Sequence, residues 1–186
     1  MPRRFSYYER LSAKDRATYR RSDAVTHIPL PDPAALRPLV ARLEEELAGG
    51  KRARVAAAVT ALSDALLAQL GVPPVDVRVR QVRPTLDDGE LHGLYTYARD
   101  GKPPKLEVWM RTAARAKVVR FRTFLRTLVH ELVHHLDIML LGLDDSFHTE
   151  GFFRRESSLV RQLLPPSRRR TEPKGDERRA EQLTLF

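Results

Sequence analysis

An α+β fold is the class this sequence predicts, with a small three-stranded sheet packed on helices, and three observations predict it. Two helical stretches come first, over about residues 33–48 and 52–70. Short alternating segments follow between 75 and 110, and two more helical stretches close the region, over about 118–141 and 149–164. Helical periodicity on both sides of a block of period two is the pattern of segregated helices and strands. The chain has 186 residues, 42% apolar and 31% charged, enough for one domain with its own core. The expected organisation is a basic N-terminal arm and linker over 1–33, a folded domain over 34–164, and a disordered basic tail over 165–186.

Each element has a local reason. Residues 1–22 carry Arg3, Arg4, Arg10, Lys14, Arg16, Arg20 and Arg21 against Glu9 and Asp15, which reads as a short basic helix or a loose arm. Pro29, Pro31 and Pro33 then interrupt any helix. Asp32 or Pro33 opens the first long helix, and Gly49-Gly50 stops it. Val55, Val59, Leu62, Leu66 and Leu70 give the second helix its core face, ended by Gly71 and Pro73-Pro74. Val75, Val77 and Val79 alternate with Asp76, Arg78 and Arg80, as in a half-buried strand. Asp87-Asp88-Gly89 marks a turn before a strand over 91–98, and a loop over 100–104 precedes a third strand, Leu106 to Met110. Phe121, Phe124, Leu125, Leu128, Leu132, Leu136 and Met139 share one face of the next helix, ended by Gly142. Phe152, Leu159, Val160 and Leu163 line the last, closed by Pro165-Pro166.

Composition excludes several chemistries. With no cysteine there is no disulfide framework, Cys-ligated zinc ribbon, iron–sulfur cluster or thiol nucleophile. No apolar run reaches transmembrane length, so no membrane partner is expected. No apolar segment follows the basic start, which argues against a secretory signal and for the cytoplasm. Lys plus Arg is 33 against 24 Asp plus Glu, a net +9, and that balance favours a polyanionic partner, nucleic acid before membrane.

The chemistry centres on His130-Glu131-Leu132-Val133-His134, an HExxH sequence inside the apolar-faced helix. Residues four apart share a helix face, so both imidazoles reach one ion, and Glu131 is placed to handle the proton of a bound water. Zinc suits such a site, being a redox-inert Lewis acid that accepts imidazole nitrogen. A third ligand is needed, and His135, Asp137, His148, Glu150 and Glu156 are the candidates. His135 points about 100° from His134 and reads as a surface or loop-facing residue. Asp137 lies roughly 10.5 Å along the axis from His130, better placed to accept from a ligand N–H than to bind the ion. His148, after a loop, is favoured over Glu150 and Glu156 by ligand type and position. Tyr95 and Tyr97 are candidate helpers for a developing oxyanion.

These residues resemble the SprT-like zinc metallopeptidases, the group that includes the Spartan protease domain. The resemblance covers roughly residues 35–164 and rests on HExxH followed, after a short loop, by His148-Thr149-Glu150-Gly151-Phe152, which has the form His-x-x-x-Phe. Leu91 to Tyr97 and Leu106 to Met110 look like the paired strands before that family's active helix. The resemblance implies a zincin-like fold, Zn2+ on His130, His134 and His148, Glu131 as general base, and a protein or peptide substrate. The chain departs from many relatives in lacking a Cys-based zinc ribbon and in having Thr149 where glycine often follows the third histidine.

Two further features concern partners. Arg111, Arg115, Lys117, Arg120, Arg122 and Arg126 form a run without an acid leading into the active helix. With Arg78 and Arg80 they are candidate contacts for a DNA backbone, single- or double-stranded. Gln182-Leu183-Thr184-Leu185-Phe186 resembles the bacterial sliding-clamp-binding peptide, in which Gln182, Leu183, Leu185 and Phe186 would dock on the clamp. By analogy with the SprT-like family, the resemblance implies a zinc peptidase acting on DNA-associated proteins, in the cytoplasm and nucleoid-associated if the DNA reading holds. The competing readings are a cytoplasmic peptidase of a specific regulator with no DNA role, and a non-catalytic DNA- and clamp-associated zinc protein.

Overall fold

A computed structural model of the chain describes residues 5–87, 89–99 and 101–165. The docking peptide Gln182 to Phe186 lies outside the described residues, as does the tail from 166 onward.

A single 3-10 turn, Tyr8–Arg10, precedes helix α1, Ala13–Ala24. Ser12 caps α1 by accepting from the Asp15 N–H. Of the two readings of the N-terminal segment, the structure has the helix, and it packs against the last helix with Tyr8 and Tyr19 buried. Helix α2, Pro33–Gly49, starts at the Asp32 cap with proline in its first turn and ends at Gly50 with φ of 67°. Helix α3, Arg52–Gln69, runs back beside it. Leu36, Val40, Leu43 and Leu47 on α2 are buried, and so are Val55, Val59, Leu62 and Leu66 of the predicted α3 face, whereas Leu70, at the helix cap, is half-buried.

Strand β1, Asp76–Val82, packs on α3. A two-residue ladder, β2 (Thr85–Leu86) with β3 (Gly89–Glu90), makes the expected turn. Strands β4, Gly93–Thr96, and β5, Lys105–Arg111, complete a three-stranded sheet ordered β1-β5-β4. β1 runs parallel to β5 and β4 antiparallel to it, so the sheet is mixed and β4 is an edge strand. Leu106, Val108 and Met110 of the central strand are fully buried.

Helix α4, Phe121–Met139, crosses β4 and β5. It begins three residues later than the apolar pattern predicts, because the chain before it first pairs back onto β5. The Thr112 N–H donates to Lys117 O, and the Val119 N–H donates to Met110 O. Helix α5, Glu150–Leu163, packs on α4, α1 and α2. No helix among the described residues is long and apolar enough to cross a membrane.

Candidate metal centre

His130 and His134 leave the same face of α4, with ring centroids 5.1 Å apart. α4 ends at Leu140, the chain turns at Gly142 with φ of 59°, and a loop returns to the start of α5. Thr149 caps α5 by accepting from the Phe152 N–H, which places His148 one residue before the cap. His148 Nε2 lies 3.0 Å from His130 Nε2 and 3.2 Å from His134 Nε2. A tetrahedral ion about 2.05 Å from each nitrogen would set them about 3.3 Å apart. The three rings stand around the buried Phe152, whose centroid is 4.7 to 5.0 Å from each. That contact places Phe152, in the first turn of α5, against the histidine that precedes the helix cap.

The remaining ring nitrogens decide which atom of each histidine is free. His130 Nδ1 is 3.0 Å from the Glu156 carboxylate, so it carries the proton. His134 Nδ1 is 2.8 Å from Ser146 Oγ, and the Ser146 hydroxyl itself donates to Asp137 Oδ2 at 2.9 Å. Ser146 therefore accepts from His134, and Nδ1 is again the protonated nitrogen. Both Nε2 lone pairs then point at His148 Nε2, and converging lone pairs ask for a cation. His130, His134 and His148 form a group that can hold a metal ion. Burial, then electrostatic coupling to the neighbouring His130 and His148, pushes His134 down to about 3, so it stays neutral and able to ligate. His148 is shifted down by burial and by His130.

Glu131 is 6% exposed and borders the same cleft. Burial pushes its carboxyl up to about 7, although His130 and the Tyr95 backbone N–H pull the other way. Gly93 on the edge strand lies directly against it. A Cβ there would overlap Glu131 Oε1 and come within 2.7 Å of Cγ, so only glycine lets the carboxylate lie under β4.

The structure brings together some of the sequence candidates and separates others. Asp137 reaches His134 through Ser146, not directly, and is paired with Arg155 at 2.8 Å, both fully buried. Glu156, weighed as a ligand, instead holds His130 Nδ1, and Glu150 pairs with Arg154. His135, expected at the surface, is fully buried, between Tyr95 OH at 3.1 Å and Pro73 O at 2.9 Å. The side of α4 away from the ligands is its core side, and these two partners satisfy the ring there. Tyr95's hydroxyl is thus spent on His135, and Tyr97's donates to Asp145 at 2.8 Å. Sequence reasoning missed Ser146, Arg155 and Gly93. The one available signal was for Glu156, one turn after Phe152 on the core face of α5.

The basic candidates scatter. Arg78 pairs with Asp76 and Arg80 with Glu107 on β1, the sheet edge opposite β4. Arg111 bonds Ala116 O and Gly50 O. Arg115, Lys117, Arg120 and Arg122 are exposed. Arg122 and Arg126 instead face Arg154 and Arg161 across a groove of about 1360 Å³ between α4 and α5, with Phe5 and Phe153 in its lining. Phe153 stacks on His148 at 5.8 Å, so this groove adjoins the histidine cleft.

Comparison with known protein families, with curated proteins and with solved structures finds no match for this chain.

Proposed function

We propose that the chain is a zinc-dependent peptidase of zincin-like architecture. One observation carries the reading: three Nε2 atoms converge beside a buried carboxyl, under an open sheet edge. A divalent zinc ion held there supplies a Lewis acid that acidifies water and polarises a carbonyl. The chain's residues supply the rest. His130, His134 and His148 are the ligands, with Glu156 and the Ser146–Asp137 pair fixing two of the rings. The free edge of β4 pairs with an extended peptide and lays its backbone along the cleft. Glu131 takes a proton from the attacking water and returns it to the leaving amine nitrogen, so water and one peptide bond become one carboxylic acid and one amine, which then exchange a proton to give carboxylate and ammonium. A carboxyl near 7 is matched to both transfers at neutral pH.

DNA-associated proteins are the substrate class in this reading, with the Gln182 to Phe186 peptide as the address to a sliding clamp. The net charge of +9 and the four-arginine groove with its two phenylalanines support an anionic polymer beside the cleft. The test is cleavage of a DNA-binding protein by the full chain with and without single-stranded DNA, wild type beside Glu131→Gln. Cleavage that needs both DNA and Glu131 is the expected result. Metal bound with no cleavage in any lane would leave a non-catalytic zinc protein. Deleting Gln182 to Phe186 is expected to abolish clamp binding.

A further inference from the structure

The third histidine sits on a loop whose contacts come largely from the far end of the chain. Arg21 Nη2 donates to Gly142 O at 3.0 Å. Thr18 Oγ1 donates to Asp144 Oδ2 at 3.4 Å, and Lys14 Nζ lies 3.9 Å from Asp144. Tyr7 OH donates to the backbone oxygen of His148 itself at 2.9 Å. Ser22 Oγ and Thr149 Oγ1 are 3.3 Å apart, and the Gly151 N–H donates to Asp23 Oδ1 at 2.9 Å.

Two features make this attachment specific. The first is Gly151, which has an ordinary helical conformation, so its lack of a side chain is not a matter of backbone freedom. A Cβ there would meet Asp23 O at 2.5 Å and Ser22 O at 2.7 Å, both fixed backbone atoms. Glycine is what lets the start of α5 lie on the end of α1. The second is Arg155. One guanidinium nitrogen donates to Ser22 O and Val25 O. The other donates to Ser22 Oγ and to both oxygens of Asp137, the carboxylate that takes the Ser146 hydroxyl behind His134. One side chain thus joins the N-terminal segment to the support of a second ligand.

We propose that residues 5–25 position the metal centre, holding His148 over the His130/His134 pair, with Asp23, Gly151 and Arg155 as positioning residues. Without that segment in place the site falls back to the helical pair. Because coupling between two binding events is reciprocal, metal binding also tightens the segment. The inference rests on the three-histidine centre and is independent of the hydrolytic step.

The test is Co2+ titration of the full chain, read by visible absorption, which reports ligand number. Gly151→Ala is expected to lose about 10- to 100-fold in Co2+ affinity, the range for groups that orient metal ligands, and to move the spectrum toward that of His148→Ala. Asp23→Ala is expected to shift both in the same direction by less, and it carries the test if Gly151→Ala does not fold. Val55→Ala, a core truncation remote from the segment, controls for lost stability and is expected to keep the wild-type spectrum and affinity. Hydrogen exchange in α1 is expected to slow when Co2+ is added. Wild-type affinity and spectrum in Gly151→Ala and Asp23→Ala, or an equal loss in Val55→Ala, overturns the proposal. A wild-type chain that takes no Co2+ overturns the metal centre with it, whereas Co2+ bound without peptide hydrolysis counts against the peptidase reading alone.

Discussion

His130 and His134 stand one turn apart on α4, yet their Nδ1 atoms rest on anchors of different kinds. His130 meets Glu156 directly, and behind that carboxylate Arg126 reaches in from water, its side chain 57% exposed. Arg126 comes within ion-pair distance of Glu156 Oε1 at 3.1 Å, but without hydrogen-bond alignment. His134 leans on Ser146, then Asp137, then Arg155, a chain that ends in an ion pair with no exposure at all. The first anchor is a buried carboxylate whose counter-charge, Arg126, is screened by water. The second is costly to break because each link, once orphaned, has no water to turn to. One histidine is therefore braced by a carboxylate whose counter-charge is screened, the other by a carboxylate whose counter-charge is buried.

Breaking the buried anchor is expected to have the largest effect. Asp137→Ala leaves Arg155 buried without its counter-charge and should cost about 3–5 kcal/mol of stability, read by urea unfolding of the metal-free chain. A cost no larger than that of Glu156→Ala would erase the distinction between the two anchors. Glu131 sharpens it from another side, since this carboxyl is buried like Asp137 but has no guanidinium against it. Its folded pKa, about 7, lies above the ordinary 4.5, so stability present below pH 4.5 is lost as pH rises through 7. Glu131→Gln should stabilise the metal-free chain by about 2 kcal/mol at pH 8, with the gain vanishing near pH 4.5. Denaturation at the two pH values checks the sign. Glu156→Gln keeps an acceptor for His130 but removes its charge, and should weaken zinc binding about tenfold, about 1.4 kcal/mol, by chelator competition. Arg126→Gln should change stability by less than about 1 kcal/mol, and less still at high salt. A large, salt-insensitive loss there would show that the Arg126 counter-charge is not screened.

The parts of this architecture that follow from period and spacing were legible in the sequence. The α2–α3 pair, the alternation on β1 and the apolar face of α4 bury most of the residues their patterns mark, but Leu70, Val77 and Phe121 are half-buried and Met139 at the end of α4 is exposed. His130, His134 and His148 come together because HExxH is a property of one helix face and His148 sits beside a helix cap. The second layer was not legible. Ser146 is a loop serine, and Arg155 is an arginine in a charged helix, ordinarily a surface residue. The N-terminal segment reads no further than a short basic helix or a loose arm because, beside Tyr8 and Tyr19, it attaches through Thr18, Ser22 and Asp23, polar residues that hydrophobic periodicity does not register. His135 fails for a related reason: pointing away from the ligand pair means pointing into the core, where Tyr95 and Pro73 satisfy it.

The clasp between the two ends of the chain has a consequence in time. Tyr7 and His148 are 141 residues apart in sequence, and Arg155 and Ser22 are 133 apart. Contacts of such separation close late, after the local helices and the sheet have formed. During synthesis the N-terminal helix emerges before the loop and helix that it clasps. A growing chain therefore carries the HExxH helix before it carries His148 and the loop that completes the histidine cleft.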